Sequence, residues 1–119
     1  VCVPISRLVE CISWAEKEVN RLGLTAPMVG HVGDGNFHSI ILYDPHDKEK
    51  QKKIRQYSDD LINKALELEG TITGEHGIGL QKKHYLLKEH IDNIPVMKAI
   101  KRSIDCNNIM NPGKVFDLN

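Results

Sequence analysis

Apolar residues recur at helical spacing at the start of the chain: Leu8, Cys11, Ile12, Ala15, Val19 and Leu22 form one stripe. Pro4-Ile5-Ser6 reads as the entry to this helix with Ser6 as N-cap, and Gly23 reads as the residue just past its end. Two short apolar runs follow, Ala26 to Val29 and Phe37 to Tyr43, on either side of Gly33-Asp34-Gly35-Asn36. Apolar runs flanking a Gly/Asp/Asn turn predict a β-hairpin. Its second strand carries apolar residues at both parities, so burial on both faces is expected.

Asp44-Pro45-His46-Asp47 opens the next helix, with Asp44 as cap and Pro45 at the first helical position. Ile54, Tyr57, Leu61, Ala65 and Leu68 supply its buried stripe, the basic stretch Lys48 to Arg55 its solvated face, and Gly70 its end. Thr71-Ile72-Thr73 suits a short strand, residues 74–79 a loop, and residues 81–90 and 95–104 two short helices, the second opened by Pro95. The tail from Asp105, with Asn107-Asn108 and Asn111-Pro112-Gly113, should be extended or turn-like. Helices and antiparallel strands in this order make the fold class α+β, an antiparallel sheet with packed helices.

Composition narrows the function. The 119 residues hold 16 Lys plus Arg against 16 Asp plus Glu, so no cationic excess exists to displace nucleic-acid counterions. No apolar run approaches the ~18 residues that a membrane span needs. Val1-Cys2-Val3-Pro4 is too short to be the core of a signal peptide, and the first residue is not Met, so a segment of a longer chain is expected. Cys2, Cys11 and Cys106 are odd in number and include no C-x-x-C pair, which argues for small apolar side chains rather than a disulfide scaffold or a Cys-rich zinc site. No dinucleotide-binding or P-loop motif occurs.

The chemistry gathers around Gly30-His31-Val32-Gly33-Asp34-Gly35-Asn36-Phe37-His38. A turn centred between Asp34 and Gly35 would set residues 31 and 38 directly opposite on one face. Cross-strand Cβ atoms then stand about 5 Å apart, and two imidazoles so based can converge on one metal at ~2.0–2.1 Å. The competing reading is a pair of surface histidines, since this spacing is no stand-alone metal signature. Thr73-Gly74-Glu75-His76-Gly77-Ile78-Gly79 adds a carboxylate, Glu75, that would complete a His₂Glu set with an open coordination position. His76 beside it is a candidate proton acceptor of the side-chain type suited to neutral pH. A solvent-exposed Gly-rich loop with incidental charge explains the same residues, because spacing does not prove that the two loops meet. Asn36 could donate to a substrate oxygen or brace the site.

These two stretches, together with Asn107-Asn108-Ile109-Met110-Asn111-Pro112-Gly113-Lys114-Val115, resemble the C-terminal domain of FAD-linked oxidases of the vanillyl-alcohol-oxidase type. Within that superfamily the resemblance is greatest to the mitochondrial D-lactate dehydrogenase group, with D-2-hydroxyglutarate dehydrogenase and glycolate oxidase flavin subunits as cousins. It covers essentially residues 1–119, which would be the C-terminal part of a substrate or cap domain, with the FAD-binding domain outside this chain and a ferredoxin-like variant as the fold. The resemblance implies that His31, His38 and Glu75 bind a divalent metal, Zn or Mn, and that His76 is the catalytic base. It places Asn36 near the substrate and Asn111, with Lys114, near the flavin. It departs at Cys106, where the family commonly has Pro after Asp.

The implied reaction is oxidation of D-lactate to pyruvate, with metal-assisted removal of the hydroxyl proton and hydride transfer to FAD. The implied partners are a small 2-hydroxy acid and an electron acceptor such as cytochrome c, in a mitochondrial setting, with dimerisation compatible. A non-redox metal-binding module and a metal-dependent hydrolase are the competing classes.

Overall fold

The computed structural model describes residues 1–118 and divides into two compact units, Val1–Gly74 and the segment from Glu75 onward. The elements, in chain order, are α1 (Ile5–Leu22), β1 (Met28–Val29), β2 (His38–Ser39), α2 (Lys48–Glu67), α3 (Lys83–His90) and α4 (Ile94–Ile104). The fold class is α+β.

In the first unit α1 packs on α2. The α1 stripe of Leu8, Cys11, Ala15, Val19 and Leu22 is buried as the periodicity requires. From α2 come Tyr57, Leu61, Ile62 and Ala65. Phe37 and Tyr57 are the bulkiest side chains in this core, at 2% and 1% exposure, and burying each contributes roughly 1.5–3 kcal/mol. Helix α1 ends in a Schellman motif. The Gly23 N–H donates to Asn20 O at 3.1 Å and the Leu24 N–H to Val19 O at 3.0 Å. Leu24 and Val19 both lie in the core, which supplies the motif's usual apolar contact.

Both helix starts differ from expectation for physical reasons. Ser6 lies inside α1, and Pro4 is the N-cap. The Val3 N–H is tied to Gly35 O at 2.9 Å, so the chain turns into the helix immediately afterwards, at Pro4. In front of α2, the Asp44 carboxylate instead closes a local turn, accepting from the His46 N–H at 2.9 Å. The cap is Asp47, whose Oδ1 accepts from the Lys50 N–H at 2.9 Å.

The hairpin forms, but with a different register. Val29 pairs with His38 and Met28 with Ser39. His31 and His38 are therefore not opposed. The residues expected to pair across the turn have other partners. Cys2 bridges to Asn36 on one side and to Thr71 on the other. The Phe37 N–H donates to Val1 O at 3.2 Å. An N-terminal segment thus takes the backbone groups of residues 35–37, and the loop between β1 and β2 lengthens to eight residues. Nor is the second strand buried on both faces. Phe37 is buried and Ile41 packs on the core, whereas Ile40 and Leu42 are 48% and 54% exposed.

In the second unit Tyr85 and Leu86 of α3 and Ile94 of α4 are buried. Pro95 sits in the first turn of α4, as predicted. Past that helix, the Asp105 carboxylate accepts from the backbone N–H groups of Ile109 at 3.0 Å and Met110 at 2.9 Å, and from Lys101 Nζ. The tail is turn-like and returns to this unit: Val115 N–H donates to Gly79 O at 2.8 Å, and Lys83 Nζ donates to Gly113 O at 3.1 Å. Among the described residues, no helix is long and apolar enough to cross a membrane.

Candidate functional site

The loop that carries the first histidines is built by three constraints. His31 O accepts from the N–H groups of Asp34 at 2.9 Å and Asn36 at 3.3 Å, winding Val32–Asp34 into a single 3₁₀ turn. Gly35 then takes a left-handed conformation, φ +74°, and a Cβ there would stand 1.9 Å from the Val3 carbonyl oxygen. Only glycine meets both demands. Finally, the Phe37 ring anchors the loop in the core. The outcome is a rigid bend that leaves His31 exposed and His38 half-buried on β2.

Asn36 occupies the centre of this construction. It is 6% exposed, and backbone approaches it from two sides. A Cβ on Gly30 would lie 2.4 Å from Asn36 O, and a Cβ on Gly74 would lie 2.4 Å from Asn36 Oδ1. Gly74 closes the first unit, and Glu75 follows it directly in the chain. The Asn36 side chain is thus packed against the α-carbon that leads into the Gly-Glu-His loop.

The other candidate residues lie in the second unit. Glu75 and His76 are exposed, with Glu75 Oε1 and His76 Nε2 3.6 Å apart. Asn111 is exposed in a left-handed conformation, φ +48°. Its carbonyl accepts from the Lys114 N–H at 3.2 Å, so the two form one tight turn. Lys114 is exposed as well.

Two supports of the site were not read from the sequence. The first is the bridging N-terminal segment, whose signal is the β-branched alternation Val1-Cys2-Val3 before Pro4. The second is a hydroxyl pair behind β2: Ser39 Oγ and Tyr57 Oη are 2.6 Å apart. Burial pushes the Tyr57 phenol above its usual range, so it remains a neutral hydrogen-bonding group.

The family model described as FAD linked oxidases, C-terminal domain, matches residues 1–115. A relative named probable D-lactate dehydrogenase, mitochondrial, from Danio rerio is 47% identical over 99% of this chain and 24% of its own length. A relative named D-lactate dehydrogenase [cytochrome], mitochondrial, from Arabidopsis thaliana is 44% identical over 98% of this chain and 21% of its own length. Glycolate oxidase subunit GlcD of Bacillus subtilis is 37% identical over 96% of this chain and 24% of its own length. The chain therefore spans about a fifth to a quarter of the curated relatives it matches.

Proposed function

This chain belongs to the C-terminal domain family of FAD-linked oxidases, and from that premise we propose that it is the substrate-side C-terminal portion of a flavoprotein oxidising D-2-hydroxy acids, D-lactate first among them. The relatives named D-lactate dehydrogenase match nearly the whole chain, and the glycolate oxidase relative fits the same class of 2-hydroxy acid. The names of the first two also support a mitochondrial setting, and that of the second a cytochrome acceptor.

Two imidazoles and a carboxylate, His31, His38 and Glu75, are a donor set suited to Zn or Mn. All three are exposed or half-buried, so an ion would reach them without unfolding the core. The observation that carries the pairing of His38 with Glu75 is the Asn36–Gly74 contact. His38 lies two residues beyond Asn36 and Glu75 one residue beyond Gly74. Consecutive Cα atoms are about 3.8 Å apart, so both donors are held on short tethers to one buried contact.

For FAD the chain offers an exposed Asn111-Lys114 turn and no dinucleotide-binding motif. That fits one edge of a flavin site whose main part lies in sequence beyond these 119 residues. A divalent ion supplies a Lewis acid that acidifies the substrate hydroxyl, and FAD supplies the two-electron acceptor. In this scheme His31, His38 and Glu75 would hold the ion and His76 would take the hydroxyl proton, the α-hydride passing to the flavin. Asn36 braces the Gly-Glu-His loop from behind, and Asn111 and Lys114 border the flavin.

The test uses the full-length flavoprotein. His31→Ala, His38→Ala and Glu75→Ala should each lose bound metal and most of kcat. His76→Ala should keep the metal and lose turnover. The flavin absorbance should bleach with D-lactate and not with L-lactate. Normal metal content in the first three variants overturns the ligand set, and a flavin indifferent to D-lactate overturns the substrate class.

A further inference from the structure

The row of side chains on the inward face of residues 37–41 is Phe37, Ser39, Ile41. Phe37 is buried and Ile41 packs on the core. On the opposite face stand His38, Ile40 and Leu42, the last two largely exposed. Ser39 is thus a half-buried hydroxyl set between apolar neighbours. Its partner is Tyr57 of α2, at 2.6 Å, whose side chain is 1% exposed.

Strand β2 is two residues long and pairs with β1, also two residues long; bonds from the Ile40 N–H to Pro27 O and from the Leu42 N–H to Thr25 O, both 2.9 Å, and the Thr25–Leu42 bridge continue the pairing. That pairing and the buried Phe37 ring set the facing of the strand, and a shift of one residue would exchange its two faces. Turning Ser39 outward would strand the Tyr57 hydroxyl in the core, and turning His38 inward would bury an imidazole in its place. The Ser39–Tyr57 bond penalises both changes.

We propose that Tyr57 and Ser39 are positioning residues for His38: their hydroxyl pair ties the backbone next to His38 to α2, so that the imidazole is presented outward in the geometry a metal ion needs. This rests on the reading of His38 as a ligand given above. Neither hydroxyl touches the ion; they act through one peptide unit. The effect belongs with supports behind a ligand, whose removal commonly costs roughly 10- to 100-fold in metal affinity.

The experiment is Co²⁺ titration of the chelator-treated full-length protein, read by affinity and by the visible absorption band of the bound ion. Tyr57→Phe and Ser39→Ala should each weaken Co²⁺ binding roughly 10- to 100-fold and change the band, while Ser39→Thr, which keeps the hydroxyl, restores both. A purely structural role would lower Tm and leave affinity and band as in wild type. That result, in variants that retain flavin, overturns the proposal. His38→Ala separates the two levels. If it binds Co²⁺ as wild type does, the ligand assignment itself fails. If it loses Co²⁺ while Tyr57→Phe and Ser39→Ala bind normally, only the positioning role fails.

Discussion

Gly33 and Gly35 lie two residues apart in one turn, and the structure assigns them opposite sensitivities. At Gly33 a Cβ would meet nothing within 4 Å, and the backbone is outside the left-handed region. Gly33→Ala should be neutral or stabilise by about 0.4–1 kcal/mol, by restricting the unfolded chain. At Gly35 two costs combine. A side chain in the left-handed region costs roughly 1–2 kcal/mol. The added Cβ would also stand 1.9 Å from Val3 O, and a backbone carbonyl cannot rotate away as a flexible side chain can. The N-terminal segment must lift. That breaks the bonds from the Val3 N–H to Gly35 O and from the Phe37 N–H to Val1 O, at about 0.5–1.5 kcal/mol each.

Gly35→Ala should therefore destabilise the first unit by about 2–5 kcal/mol, a large share of the 5–15 kcal/mol typical of a domain. Trp14, the single tryptophan of these 119 residues, packs against that unit's core and reports its unfolding. Urea denaturation followed by Trp14 emission should show a much lower midpoint for Gly35→Ala than for Gly33→Ala. Equal midpoints would refute both the clash and the hold of the N-terminal segment on this loop.

Three further outcomes follow from the same geometry. Gly74→Ala, whose Cβ would press on Asn36 Oδ1 at 2.4 Å with φ at +55°, should weaken divalent-ion binding by the full-length protein, read by calorimetric titration. The Asp105 carboxyl is held below the usual carboxylate range, chiefly by its hydrogen bond from Lys101 and then by the Met110 and Ile109 N–H groups. The folded state thus favours the ionised form; the stabilisation is present above the ordinary carboxylate pKa of ~3.9 and is lost as pH falls through the folded value. Thermal melts from neutral to acid pH should show wild type losing stability at the acid end and Asp105→Asn with a flatter profile from a lower start. Cys106 is exposed, whereas Cys11 is 0% exposed with its thiol pushed up by burial; a thiol reagent should titrate Cys106 in the native protein and reach Cys11 only on unfolding.

What the sequence made legible and what it hid divide along physical lines. Helix α1 was legible because its stripe, its terminal Gly23 and its buried face are all local properties of one segment. The stripe of α2 was legible for the same reason, although its cap lies three residues later than expected, because Asp44 and Asp47 have the same capping chemistry and only the turn geometry separates them. The register of the β1–β2 pair was hidden. A symmetric turn is the natural reading when only the two runs and their connection are considered. The competitor is Val1–Val3, more than thirty residues away in sequence, which claims the backbone groups of Gly35 and Phe37. Nothing within residues 26–43 carries that information.

The candidate site shows the same division more sharply. Its donors stand out in sequence because imidazole and carboxylate are chemically distinctive and glycine marks their loops. The groups that would give those donors a direction are a serine, a tyrosine, an asparagine and a glycine, which are common in any chain. Gly74 matters because it has no side chain where Asn36 needs room, and Ser39 matters because Tyr57 stands 2.6 Å behind it. Each role is a relation between two distant positions. Motif reading therefore finds the exposed chemistry and passes over the buried contacts that orient it. Tyr57→Phe and Gly74→Ala accordingly test the orientation of the donors, because neither removes one, whereas the His31, His38 and Glu75 variants test the ligand set itself.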